Sequence, residues 1–466
     1  MSSERDLAWQ KYDMSCRSSV AYQFAHYALG LKYESLPKDV IHQAKRSLLD
    51  ALGNAIGAYD KSPGQPVCEA AARELGGPRE ATLFGSGLRT SALNASLVNS
   101  FLVRFLDYHD LGGNHHGCDA VASILAVCER EKASGRDFIT SLVISYELGA
   151  RVREIEPPKS GPGGFIFDTL ANLFMPPALG RLMGLDEDQI ANAIGICASH
   201  SFALGVLMAE EPMMTKNIRT GFIAHDALLS CILAKNGFTG PTRVVEGESG
   251  LIQTLYPGFD KLDRVVDFTG WKILDTRHKF YRGCAILQAM VSATLAIVKE
   301  NDLKPEDIQA VRVKCVPFWV AMFGRFPFKY PRNAETADHS MWYTAAIAIK
   351  ERALGPDSYE PEKFQDPVVL SLIERITVEP GPHVGHYEGI SEITTRDGRR
   401  FERRINNPHG FGDDPLTDDE LEQKFTEMAA KHIGKRKIWK IFDTVWNLES
   451  LHDMKKLTAL MVFRKQ

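Results

Sequence analysis

The spacing of apolar residues changes twice along the chain, and these changes constrain the fold more than any single motif. Up to about residue 265, apolar residues mostly recur every three or four positions, as in 40–52, which is typical of helices. Between about 270 and 408, β-rich runs such as 308–316 alternate with helical stretches. Helical spacing then returns, with Thr417 as a predicted helix cap. The pattern predicts a mainly α protein with one α+β part.

Helical character at both chain ends, interrupted by a mixed segment, predicts two domains. The chain has 466 residues, of which 44% are hydrophobic, and is long enough to build two cores. We expect a large all-helical domain made of residues 1–268 and 412–466. Residues 270–408 are expected to form an inserted α+β lid domain, in which Asp397-Gly398 indicates a tight hairpin.

Composition and charge argue against several classes of protein. The formal net charge of −4 offers no basic surplus for phosphates, so we expect no nucleic-acid partner. The eight cysteines lack CxxC spacing, which argues against structural zinc and iron–sulfur clusters and for reduced thiols. The sequence has no apolar run of membrane-spanning length, and its N-terminus lacks a signal-peptide core. We therefore expect a cytoplasmic protein without a membrane partner.

The densest group of polar residues lies between two apolar runs, which predict buried helices joined by a turn. The group comprises Asp107, His109, Asp110, His115, His116 and Asp119. Carboxylates and imidazoles that are buried in contact shift each other's pKa values, which suits acid–base catalysis near neutral pH. The alternative is that these groups only cap helices and satisfy one another. Because His115 and His116 are adjacent rather than four residues apart, the spacing argues against a metal site.

Two further groups are cationic. Lys216 and Arg219 lie three residues apart at a predicted helix start, where they can attract an anion, although such pairs more often form a solvated face. The stretch 276–284 includes Lys279 and Arg282 and falls at the predicted domain junction, where ligand clefts are common. The stretch 334–343 adds a carboxylate and an imidazole before a predicted helix, where Asp338 or Ser340 could also be only a cap.

Several motifs, in this order, resemble the MmgE/PrpD family over nearly the whole chain. They are Leu49-Asp-Ala-Leu-Gly53, Leu106-Asp-Tyr-His-Asp110, His116-Gly-Cys-Asp119, Tyr146-Glu-Leu-Gly-Ala-Arg151, Thr215-Lys216 with Gly221, Gly237-Phe-Thr-Gly-Pro241, and Glu335-Thr-Ala-Asp-His-Ser340. The resemblance implies a homodimer and an interdomain cleft that needs no metal or organic cofactor. It also implies that the helical domain is made from both chain ends.

The resemblance implies site residues by position. Asp107 and His116 match the family's active-site acid and histidine, and Lys216 and Lys279 match its lysines. We expect the first two to transfer protons and the lysines to hold substrate carboxylates. The expected substrate-binding residues are His115, Arg219, Arg282 and Tyr343, although Tyr343 could equally be a core residue.

The implied activity is that of a lyase on a small tricarboxylate, foremost the dehydration of 2-methylcitrate. Decarboxylation of cis-aconitate, epimerisation of an amino-dicarboxylate, and a degenerate member without activity remain open. Three departures from the family pattern bear on this choice. Leu111 replaces a threonine, His-Pro-Ser-Asp reads His116-Gly-Cys-Asp119, and the stretch 164–169 lacks a histidine that many members have.

Overall fold

The computed structural model describes residues 4–112, 116–155 and 164–463. The chain is mainly helical, with short strands. The predicted fold class, mainly α, is therefore confirmed, whereas the division into a discontinuous helical domain and a lid stays a prediction. Within the described residues, none of the helices combines the length and the apolarity needed to cross a bilayer.

The first part of the chain is built mostly from helices, as its apolar spacing predicts. They are α1 (Glu4–Arg17), α2 (Val20–Gly30), α3 (Lys38–Ala58), α4 (Gln65–Leu75), α5 (Ala92–Phe105), α6 (Val121–Glu131), α7 (Gly135–Val152), α8 (Ala171–Leu182), α9 (Glu187–Ala198), α10 (Val206–Ala209), α11 (Thr215–Lys235), α12 (Leu251–Leu255) and α13 (Leu262–Val265). Two-residue strands pair as β1 (Ala81–Thr82) with β2 (Arg89–Thr90), and β3 (Leu111–Gly112) with β4 (Thr276–Arg277). The β3–β4 pair brings the polar turn after α5 beside the stretch 276–284.

The middle part combines helices with a small mixed sheet. Its helices are α14 (Gln288–Glu300), α15 (Pro317–Phe323), α16 (Ala334–Ala337), α17 (Met341–Glu351) and α18 (Pro367–Ile373). Its strands are β5 (Ile308–Cys315), β6 (Ile376–Pro380), β7 (Gly389–Thr395) and β8 (Arg400–Ile405), in the spatial order β6-β5-β7-β8. Strand β5 is parallel to β6 and antiparallel to β7. The predicted hairpin joins β7 and β8, with Gly398 at φ 88°.

The C-terminal helices return to the first part of the chain. They are α19 (Asp418–Ala429), α20 (Lys435–Trp446) and α21 (Lys455–Leu460). The predicted cap Thr417 begins α19 and forms a capping box with Glu420. Helix α19 packs on α3 at Gly53, where a Cβ atom would lie 2.8 Å from Met428 Cε. The glycine of the Leu49–Gly53 motif therefore permits this close helix contact.

Buried apolar residues form two main clusters. The larger contains residues between 20 and 273 together with residues 421–461, so both chain ends contribute to one core. The smaller, with Met208, spans residues 286–393 and packs α14 and α17 on the sheet. Ile166 and Ala334 pack against both clusters.

Candidate active site

Asp107 lies directly after α5 in a left-handed conformation, with φ 47°. Such a backbone is costly for a residue other than glycine and needs support from its surroundings. Lys279 supplies it, because its Nζ donates to the Asp107 carbonyl oxygen at 2.6 Å and to Oδ1 at 2.7 Å. Both residues are buried. The turn that presents Asp107 is therefore held by a lysine 172 positions away.

Lys216, in the first turn of α11, approaches Asp107 from the other side. Its Nζ lies 3.6 Å from Asp107 Oδ2 and 2.6 Å from each carboxylate oxygen of Asp338. Burial alone would raise the pKa of Asp107, but Lys279 and Lys216 outweigh it and hold that pKa well below its usual range. Asp107 is thus an anion between two ammonium groups. The predicted trio of Asp107, Lys216 and Lys279 does come together, and Lys216 is buried rather than part of a solvated face.

His339 adds an imidazole to this cluster. Its Nδ1 lies 2.5 Å from Asp338 Oδ1 and 3.6 Å from Asp107 Oδ2. Cys284 Sγ, a ring nitrogen of His339 and a carboxylate oxygen of Asp107 all lie within 4.8 Å of one another. Burial by itself disfavours the charged ring, but Cys284 and Asp338 outweigh it and raise the pKa of His339 to about 9. His339 therefore carries a proton on both nitrogens at neutral pH.

His109 has the opposite charge state. Its Nδ1 lies 3.0 Å from the Asp110 carbonyl oxygen, and its Nε2 lies 2.8 Å from Arg104 Nη1. A carbonyl can only accept and a guanidinium can only donate, so Nδ1 carries the proton and Nε2 accepts from Arg104. Burial and the charges of Arg104 and Lys279 lower the pKa of His109 to about 3. His109 is therefore a neutral residue that helps to hold Arg104.

His116 lies at the edge of the cluster and keeps 28% of its side chain exposed. Its ring meets that of His109 edge-on at 4.9 Å, and its Nε2 is 3.8 Å from Asp168 Oδ1. Burial, together with Arg104, lowers the pKa of His116 well below its usual value. His116 is thus a neutral imidazole in a partly open position. No described contact joins it directly to Asp107, its predicted partner in proton transfer.

The residues of the His116–Asp119 motif explain one departure from the family pattern. A Cβ at Gly117 would lie 2.2 Å from Cε1 of Tyr146. The Tyr146 hydroxyl donates to Asp110 Oδ2 at 2.6 Å, which fixes the ring in this position. Any larger residue, including the family's proline, would displace Tyr146. The second departure, Leu111, is buried in a small apolar cluster with Ala285 and Phe411.

Arg219 and Asp168 form a second ion pair beside His116. Arg219 Nε lies 2.5 Å from Asp168 Oδ2, and its Nη1 donates to the Lys216 carbonyl oxygen. Arg104 Nη2 lies 3.8 Å from Asp168 Oδ1. Arg219 and Arg104 outweigh burial and lower the pKa of Asp168. The two arginines keep positive charge near His116, and the role of Arg219 in substrate binding stays a prediction.

The other predicted substrate-binding residues are Arg282, Tyr343 and His115. Arg282 donates to the carbonyl oxygens of Leu106 and Pro356, and Tyr343 donates to that of Ser358 at 2.7 Å. Both are buried in these contacts, which match the core interpretation of Tyr343, and their roles in substrate binding stay predictions. His115 lies outside the described residues.

Lys424 of α19 bonds the backbone on either side of the cluster. Its Nζ lies 2.7 Å from Asp50 Oδ1 and donates to the carbonyl oxygens of Tyr108 and Lys279, at 2.7 and 2.8 Å. It therefore ties the turn of Asp107 to the segment of Lys279. Asp50 belongs to the Leu49–Gly53 motif, so this motif serves the site as well as the contact between helices.

Two groups of described residues have ligand atoms close enough for a metal ion. They are Asp107, Cys284 and His339, and separately His109, Asp110 and Cys118. Asp107 already bonds Lys279, and His109 Nε2 already accepts from Arg104. A cation in either position would also face a neighbouring lysine or arginine at short range. This charge environment fits an anionic ligand better than a metal.

Sequence patterns missed several residues of this site. Asp338 or Ser340 was predicted as a possible cap, and Ser340 does cap α17, whereas Asp338 pairs with Lys216. His339 was part of a noted motif without an assigned role, and Asp168 and Lys424 were not predicted at all. The family-like stretch Glu335–Ser340 was the available signal. Its meaning depends on a contact between residues 122 positions apart.

Both family models and full-length relatives match the chain. The model of the MmgE/PrpD N-terminal domain matches residues 22–262, and that of the MmgE/PrpD C-terminal domain matches residues 281–448. The chain is 24% identical to the cis-aconitate decarboxylase-like protein oryM of Aspergillus oryzae, over 96% of this chain and 98% of that protein. It is 23% identical to a cis-aconitate decarboxylase of Aspergillus terreus, over 97% and 98%. It is 24% identical to the human cis-aconitate decarboxylase, over 95% and 94%. Since the two family models together cover most of its length, the chain belongs to the MmgE/PrpD family.

Proposed function

We propose that this protein is a lyase that acts on a small tricarboxylate, with decarboxylation of cis-aconitate as its reaction. The observation that carries the proposal is the buried cluster in which Lys216, Lys279 and His339 surround Asp107. The full-length relatives named as cis-aconitate decarboxylases support the choice of substrate and reaction.

The charge of the buried cluster suits a polyanion. The positive groups are Lys216, Lys279, His339, Arg104 and Arg219, and the negative groups are Asp107, Asp338, Asp168 and Asp119. Five minus four leaves a net charge of +1, and burial raises the pKa of Asp119 to about 7, which increases the positive excess. The charge-assisted hydrogen bonds of such cations are the strong ones for carboxylates.

The lysines can serve the reaction while Asp107 holds them. An ammonium group has three donors, and Lys279 uses two of them on Asp107. In this proposal the third would bond a substrate carboxylate. When a carboxylate leaves as carbon dioxide, its electron pair moves through the double bond towards a second carboxylate, and fixed positive charges stabilise the resulting enediolate. In this scheme Asp107 orients the lysines and does not itself transfer a proton.

Dehydration of 2-methylcitrate is the second candidate. It needs a base that removes a proton from carbon, which decarboxylation does not need. The neutral, partly exposed imidazole of His116 is a group of this kind. The two reactions therefore make different demands on His116.

The test is to incubate the purified protein with cis-aconitate and with 2-methylcitrate and to follow carbon dioxide release and the loss or gain of ultraviolet absorbance. Product identification by NMR distinguishes decarboxylation from dehydration. Lys279→Met serves as the inactive control, because it removes the ammonium group without adding charge. Turnover of neither substrate by the unaltered protein would contradict the proposal.

The proposal includes the wider expectations for this family. The active form would be a homodimer in the cytoplasm that uses no metal or organic cofactor and has no nucleic-acid or membrane partner. Light scattering coupled to size-exclusion chromatography tests the dimer.

A further inference from the structure

We propose that His339, which precedes α17 in the middle part of the chain, is the proton donor of the reaction, and that Asp338 is its positioning residue. The inference rests on the proposed lyase function and deepens it, because it names the group that protonates carbon after the departing group leaves. His339 had no role predicted from the sequence.

The two ring nitrogens of His339 have different surroundings and therefore different roles. Nδ1 lies within hydrogen-bond distance of Asp338 and faces Asp107 at 3.6 Å, so two carboxylates hold the Nδ1 proton in place. The proton that can leave is therefore the one on Nε2. A neighbouring carboxylate orients an imidazole in this way in many acid–base sites.

Charged groups face His339 from several elements. Asp338 precedes it in the chain, Asp107 follows α5, Lys216 comes from α11, and Cys284 comes from the segment after β4. The ring of Phe323 in α15 packs edge-on at 4.9 Å and contributes no charge. Cys284 and Asp338 outweigh burial and Lys216 at this position, which keeps the imidazole protonated at neutral pH.

The other two described imidazoles beside Asp107 fit the donor role less well. His109 already uses Nδ1 on a carbonyl and Nε2 on Arg104, so it has no proton to give. His116 lies beside Arg104, which disfavours the imidazolium. A neutral His116 can accept a proton, but it is a poorer acid than a charged His339.

The proposed decarboxylation conserves atoms and electrons. The bond between the leaving carboxylate and its carbon breaks, and carbon dioxide departs. The electron pair of the broken bond forms a new carbon–carbon double bond. The electrons of the old double bond move to the carbon beside a remaining carboxylate, which becomes an enediolate. The carbon that gains this charge takes the Nε2 proton of His339 and forms a carbon–hydrogen bond. His339 becomes a neutral imidazole and recovers its proton from water before the next cycle.

The variant His339→Asn tests the donor directly. The asparagine amide can replace Nδ1–H as a donor to Asp338, and so preserves the Asp338–Lys216 pair, but it has no group in the place of Nε2. We expect kcat to fall by about 10² to 10⁴ while KM changes by less than about threefold. In the unaltered protein kcat/KM should fall above about pH 9, and this alkaline limb should be missing from the variant. His383→Gln, an exposed residue of the same part of the chain, is the matched control.

The outcomes separate this inference from the function on which it rests. A His339→Asn protein with an unchanged kcat and the same alkaline limb would overturn the role of His339 while leaving the lyase function intact. If the unaltered protein turns over neither tricarboxylate, the lyase function fails, and an NMR titration of the His339 ring decides the remaining point. A ring protonated at pH 8 supports an acid at this position, whereas a ring that is neutral at pH 7 refutes it.

Discussion

Replacing His109 by glutamine should make the folded protein less sensitive to acid. In the unfolded chain a histidine takes up a proton below about pH 6.5, whereas burial and Arg104 lower the pKa of folded His109 to about 3. Between these values the unfolded state binds more protons, so the free energy of unfolding falls as the pH falls. The slope is ~1.4 kcal/mol per pH unit. Acidification from pH 7 to pH 5 should therefore cost the wild-type protein ~2 kcal/mol through His109 alone.

Glutamine is the suitable replacement because its Oε1 can take the place of Nε2 as the acceptor for Arg104. The loss of the bond to the Asp110 carbonyl should cost about 1 kcal/mol at every pH. Urea unfolding at pH 5, 6 and 7 measures both effects, and only the difference in slope between the variant and the wild type is used. This comparison is needed because burial raises the pKa of Asp110 and of Asp119, which opposes the trend of His109 in the same window. Parallel slopes in wild type and His109→Gln would refute the reasoning, and His383→Gln should leave the slope unchanged.

Three further predictions follow from the site. His116→Gln should lower kcat for dehydration of 2-methylcitrate by about 10² to 10⁴ with little change in melting temperature, whereas decarboxylation of cis-aconitate, which needs no base, should keep its rate. An unchanged rate with both substrates would show that His116 is structural. Lys424→Met should lower the free energy of unfolding by about 3 to 5 kcal/mol in urea titrations, because it leaves the buried Asp50 unpaired. Adding Asp50→Asn should restore part of this loss, and a double variant no more stable than the single one would contradict the pairing. Activity should survive exhaustive dialysis against EDTA, and a loss reversed by added metal would count against the proposed chemistry.

Much of the fold could be read from local sequence. The return of helical spacing after residue 415, the cap at Thr417 and the hairpin at Gly398 all depend on contacts within a few residues, and all three are confirmed. Residue preferences and apolar spacing act over this short range, so the sequence alone contains the information.

The sequence identified several residues of the candidate site, but their roles could be assigned only from the tertiary structure. Motif resemblance already singled out Asp107, Lys216 and Lys279, but not that Asp107 serves as a shared counter-ion of both lysines. Asp338 is the clearest case in which local sequence does not reveal a residue's role, because a carboxylate before a helix is ordinarily a cap. Here its contact with Lys216, 122 positions away, makes it part of the charged cluster.

The sequence by itself determined the elements, the mainly helical class and the set of residue types available for acid–base work. Only the tertiary structure decided the charge of each group. His339 and His109 are the same residue type, yet one lies between two carboxylates and the other accepts from a guanidinium, so their pKa values move in opposite directions. The physical reason is that a pKa responds to burial and to charges a few ångströms away, and those neighbours come from distant parts of the chain.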